Sequence, residues 1–71
     1  MELLSKKEIE VLNLLSKGLM YKEIAERLGI TIDGVKKHCK NIYHKLGVRN
    51  RTEATIKYID QLSEKVGNNS N

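Results

Sequence analysis

No proline, phenylalanine or tryptophan occurs in the chain. Without proline nothing breaks a helix from within, and turns fall to the glycines. β-Branched residues are scattered instead of alternating, so no stretch reads as a strand. Cysteine occurs once, at Cys39, which excludes an internal disulfide; a zinc site needs several Cys or His at ligand spacing. His38 and His44 stand on different sides of a helix, so no metal site is expected. No apolar run approaches the roughly 20 residues that span a membrane. The N-terminal M-E-L-L-S-K-K also lacks the charge-then-apolar order of a signal peptide. A cytoplasmic protein without a membrane partner is expected. There is no glycine-rich phosphate loop and no Ser/His/Asp or Cys/His set, so the chain reads as no enzyme and calls for no cofactor.

The most informative absence is that of acid. Between Gly34 and Thr52 there is no aspartate or glutamate, while Lys36, Lys37, Lys40, Lys45, Arg49 and Arg51 supply six of the thirteen basic residues. The remainder of the chain is slightly negative, so the net charge of +4 belongs to this stretch. A local basic field beside an apolar stripe points to a polyanion partner. Seventy-one residues make one small domain, whose elements must pack efficiently to build a core at all. Residues 1–66 are assigned to the domain and residues 67–71, Gly-Asn-Asn-Ser-Asn, to a flexible tail.

What is present is a series of helices punctuated by glycines. Ser5 followed by Glu8 is a capping box, and Ile9, Leu12 and Leu15, with Val11 and Leu4 beside them, form a stripe that Gly18 ends. Tyr21–Leu28 repeats the pattern over about two turns, with Ile24, Ala25 and Leu28 inward and Lys22, Glu23, Glu26 and Arg27 outward. Gly29 closes it, and Thr31 caps the next helix. A short helix, a tight Leu-Gly-Ile turn and a longer capped helix have the form of a helix-turn-helix. In the longer helix, Val35, Cys39, Ile42 and Leu46 fall on one side and Lys36, Lys37, Lys40, Asn41 and His44 on the other. Three lysines with no carboxylate among them weaken an isolated helix, but they suit the major groove, where lysine donates to guanine O6 and N7. Gly47 ends this helix. Asn50 with Glu53 starts a fourth, whose stripe is Ala54, Tyr58, Ile59, Leu62 and Val66, with Ile56 off that line as a candidate partner surface.

In order, L-L-S-K-K-E-I-E-V-L-N-L-L-S-K-G, K-E-I-A-E-R-L-G-I-T, V-K-K-H and I-Y-H-K-L-G-V-R-N-R-T-E-A resemble the LuxR/FixJ-type helix-turn-helix domain of bacterial transcription regulators. The resemblance covers roughly Leu4 to Ile59. It implies an all-α four-helix bundle without a wing, helices 2 and 3 forming the helix-turn-helix. It also implies double-stranded DNA as partner, regulation of transcription, and a homodimer on DNA through helix 4, with RNA polymerase as a further partner. Carried onto this sequence, base contacts fall to Lys36, Lys37 and Lys40, and phosphate contacts to Lys22, Thr31, His38 and Lys45. The dimer surface comprises Thr55, Ile56, Ile59 and Leu62. Glu10 and Arg51 correspond to an ion pair between helices 1 and 4.

Three positions depart from the family. Met20 stands where Ser or Thr is usual, which removes a cap. Gly34 stands where Thr is usual, so threonine there is expected to stabilise the helix. Thr55 replaces an apolar residue. Two other readings share parts of this pattern. A sigma region 4-like promoter binder shares the E-I-A-x-x-L-G-I turn, but the segment from Lys45 through Ala54 argues against it. An antagonist that pairs with a related regulator without binding DNA is kept open by Met20, Gly34 and Asp33.

Overall fold

The computed structural model describes residues 3–70, with side chains described through residue 62. The boundary at residue 66, the tail expected at 67–71 and the inward place of Val66 lie outside the described side chains. Among the described residues there are four helices and no strand: α1 (Lys6–Ser16), α2 (Tyr21–Leu28), α3 (Ile32–Leu46) and α4 (Arg51–Ser70).

Local chemistry sets the boundaries. The Ser5 hydroxyl accepts from the Glu8 amide at 3.1 Å, and the Glu8 carboxylate accepts from the Ser5 amide at 2.8 Å, completing the capping box of α1. Met20 has no side-chain acceptor to offer α2, yet half of the box survives, because its amide donates to Glu23 Oε1 at 2.7 Å. Thr31 Oγ1 accepts from the Gly34 amide at 2.9 Å to start α3. Ahead of α4, Asn50 Oδ1 accepts from the Glu53 amide at 2.9 Å, while Glu53 Oε1 accepts from the Arg49 amide at 2.8 Å. Gly29 and Gly47 follow α2 and α3 at φ of 66° and 68°, a left-handed conformation that costs other residues strain.

The core draws on every helix: Val11, Leu12, Leu14 and Leu15 from α1, Ile24 and Ala25 from α2, Val35, Cys39, Ile42 and Leu46 from α3, and Ala54 from α4. Helix α1 packs on α3 and α4, and α2 packs on α3.

Three expectations need correction. Ile9 is 48% exposed, and the inward face of α1 is instead Glu8, Val11, Leu12 and Leu15 at helical spacing, with Leu14 also buried. On α4, Ala54 and the half-buried Tyr58 face the bundle, whereas Ile59 and Leu62 are each 48% exposed. The Tyr58 hydroxyl is tied to Asn13 Oδ1 at 3.2 Å, which sets the rotation of α4 and turns the flank bearing Ile59 outward.

The expected Glu10–Arg51 pair is the third. Glu10 pairs with Lys7 at 3.3 Å within α1. Arg51 donates to the carbonyl of Leu15 from Nε at 3.2 Å and Nη2 at 2.9 Å, and to the carbonyl of Leu19. The last carbonyls of a helix have no intrahelical donor, so a guanidinium at the end of α1 finds acceptors closer than Glu10. Lys57 serves α3 in the same way, donating to the Leu46 carbonyl at 2.9 Å.

Candidate nucleic-acid interface

Helices α2 and α3 form the helix-turn-helix. The turn is held by its own backbone, because the Gly29 and Ile30 amides both donate to the Ala25 carbonyl, the latter at 3.0 Å. Buried Ile24 and Ala25 of α2 and Val35 and Cys39 of α3 join the two helices to one core. With Val35, Cys39, Ile42 and Leu46 all buried, the rotation of α3 is determined, and so is the face it turns to solvent.

That face carries Asp33, Lys36, Lys37, Lys40, Asn41 and His44, all exposed. Lys36, Lys37 and Lys40 have no ion-pair or hydrogen-bond partner among the described residues, which leaves three ammonium groups to solvent on one exposed surface. Lys22 is exposed in the first turn of α2. Thr31 is exposed between the two helices, and because its oxygen accepts the Gly34 amide, its hydroxyl hydrogen stays available as a donor. His38 is half-buried, beside the core stripe and away from the lysines.

Lys45 has a different place. Its Nζ lies 2.8 Å from Glu8 Oε1, with the side chains 27% and 6% exposed, and 3.5 Å from the Leu3 carbonyl. This ion pair ties α1 to the end of α3, a role that the sequence reading of Lys45 as a phosphate contact does not include. Its hydrogen bond, together with the Ser5 amide, holds the Glu8 carboxyl below the ordinary carboxylate value despite burial. The capping-box motif accounts for Glu8 only as a cap. Its place at three, four and seven residues before Val11, Leu12 and Leu15 was the signal that it faces inward.

Behind the basic face, burial raises the Cys39 thiol, which is 2% exposed, and the Tyr43 phenol above their ordinary values. The Tyr43 hydroxyl is buried without a hydrogen-bond partner among the described residues. Cys39 is thus a packing residue. No group of His, Cys, Asp or Glu able to hold a metal occurs among the described residues, and no helix among them is long and apolar enough to cross a membrane.

A capped, glycine-closed α2–turn–α3 unit whose outward face carries three lysines and a single acid, Asp33, invites comparison with known proteins. The pattern defining "Bacterial regulatory proteins, luxR family" matches residues 2–58. The chain belongs to the luxR family of bacterial regulatory proteins. Among curated members, the transcriptional regulatory protein LnrK of Bacillus subtilis is 57% identical over 53 residues, covering 75% of this chain and 24% of LnrK. LiaR of the same organism is 49% identical over 55 residues, covering 78% of this chain and 26% of LiaR. The response regulator VraR of Staphylococcus aureus is 47% identical over 55 residues, with the same coverage of 78% and 26%.

The luxR-family chain therefore spans about a quarter of the length of these relatives. Its fold matches the crystal structure of ChrA, a response regulator in a heme-sensing two-component system, with a TM-score of 0.80 and 43% identity over 86% of this chain and 30% of that one.

Proposed function

We propose that this domain binds double-stranded DNA sequence-specifically and thereby regulates transcription, with α3 laid in the major groove. The observation that carries this reading is the outward face of α3, where Lys36, Lys37 and Lys40 are exposed and unpaired on a helix whose other side is fully committed to the core. Three ammonium groups gathered around a single carboxylate leave a net positive face, and a polyphosphate partner relieves their mutual repulsion while releasing its own counterions. A helix about 10–12 Å across fits a groove about 12 Å wide.

In this reading Lys36, Lys37 and Lys40 donate to base edges, while Lys22, the Thr31 hydroxyl and His38 hold phosphates and fix the register. Two copies pair through α4, whose Ile56, Ile59 and Leu62 are 55%, 48% and 48% exposed next to the half-buried Thr55. RNA polymerase is the partner on which a bound regulator acts.

Titration against duplex DNA at several salt concentrations tests the reading. Affinity is expected to fall steeply, with a log–log slope of about −0.9 per phosphate neutralised. A flat response to salt would exclude the basic face as the binding surface.

A further inference from the structure

We propose that Asp33 reads cytosine in the half-site, its carboxylate accepting a hydrogen bond from the exocyclic N4 amino group in the major groove. The proposal rests on the DNA-binding reading above. Asp33 is the second residue of α3 and the only acidic one on it. At 100° per residue it falls between Lys40 and Lys37 on the outward face, inside the lysine cluster.

The carboxylate is exposed and has no hydrogen bond or ion pair among the described residues. Lys36 and Lys37 stand three and four residues on, the separations at which Lys7 pairs with Glu10 and Arg49 with Glu53 elsewhere in the chain. Nor does Asp33 cap its helix, because Thr31 already takes the Gly34 amide. An open acceptor therefore sits within a surface of donors. Turned towards phosphate it would repel; turned towards base edges it needs a donor.

The major groove offers such donors only as the amino groups of cytosine and adenine. On adenine the amino group adjoins N7, a second acceptor that repels a carboxylate oxygen. On cytosine it adjoins a C–H, so cytosine is the better match. The same carboxylate disfavours guanine O6 and thymine O4 at its position, which lysines alone would not, so it supplies the repulsive half of discrimination.

Selection of bound sequences from random duplexes by the wild-type chain, Asp33→Ala and Asp33→Asn tests this, with thermal melts checking that each variant folds. Wild-type sites are expected to carry cytosine at one position per half-site, favoured about tenfold, an amount typical of one good base contact. Asp33→Ala is expected to lose that preference alone, keep the others and bind random DNA more tightly. Asp33→Asn, which offers both donor and acceptor, is expected to move the preference to adenine. Wild-type preference for adenine at the Asp33-dependent position would overturn the cytosine assignment. Base preferences identical in all three proteins would overturn the proposal and leave Asp33 a helix-dipole residue. Absence of any enrichment by the wild-type chain would overturn the DNA-binding reading and the proposal together.

Discussion

Glu8 lies in the core with 5% of its surface exposed, its carboxylate accepting from the Ser5 amide and from Lys45 Nζ. The Lys45 ammonium holds its carboxyl below the ordinary value of 4.5. A group whose pKa is lower in the folded chain than in the unfolded one contributes stability above the unfolded value and loses it as pH falls through the folded one. Glu8→Gln is expected to cost about 1–3 kcal/mol at neutral pH, towards the lower end because Lys45 keeps access to water. It should also shrink the loss of Tm between pH 5 and acid. Melts over pH 7 to 3 check this, and an unchanged acid limb would show that other carboxylates govern it. Gly34 is the second residue to test. A Cβ added there would stand 3.2 Å from Thr31 Oγ1 and 3.9 Å from Ile30 Cβ. Alanine gains about 0.8–1 kcal/mol of helix propensity, part of which is spent moving the capping hydroxyl by a few tenths of an ångström. Because Thr31 is exposed and free to yield, Gly34→Ala should raise the melting temperature by less than about 8 °C. A fall would mean that the cap bond has been lost. Threonine at this position crowds the cap more, so the stabilisation expected from the family pattern is smaller here.

At the scale of the element, α3 divides into a side that cannot move and a side with nothing to hold it. The four core residues set the rotation of the helix, and the lysines project from the other face. Helix α2 supplies Lys22 at its own start, one helix away from the lysines proposed to read bases. The two kinds of lysine should therefore separate in binding. Lys40→Ala is expected to relax preference at one base position, whereas Lys22→Ala should weaken specific and random duplexes alike and lower the salt slope by about one contact's worth. Equal effects of both variants on both duplexes would show the base readers to be misassigned. The helix boundaries were legible from the chain because caps are local: Ser5, Thr31, Asn50, Gly29 and Gly47 act within four or five residues of themselves. What the caps could not reveal was where Arg51 and Lys57 would reach. Their acceptors are supplied by the ends of α1 and α3, at Leu15 and Leu46, and by the connection between α1 and α2, at Leu19.

For the whole molecule, the proposed pairing of two copies rests on the outer flank of α4. Ala54 and Tyr58 are drawn to the bundle, and Ile56, Ile59 and Leu62 remain outside it. If this flank joins two domains about a two-fold axis, protected half-sites should lie about 34–36 Å apart or at a near multiple. Ile59→Lys should leave the monomer's Tm nearly unchanged, because the side chain is 48% exposed, and reduce the footprint to one half-site. A two-half-site footprint from Ile59→Lys would place the dimer elsewhere.

The sequence by itself determined four helices, the caps that bound them, the helix-turn-helix and the acid-free stretch of α3, because each rests on contacts within a few residues or on a periodicity along one helix. Tertiary structure decided what distant neighbours compete for. Lys45 was one of several exposed-looking lysines until the bundle set it 2.8 Å from buried Glu8; Ile9 matched an apolar stripe until packing gave the inward place to Glu8, and Ile59 shared a stripe with Ala54 and Tyr58 until packing narrowed it to those two. A periodicity tells which residues share a face. Only the helix packed against it tells how wide the buried part of that face is.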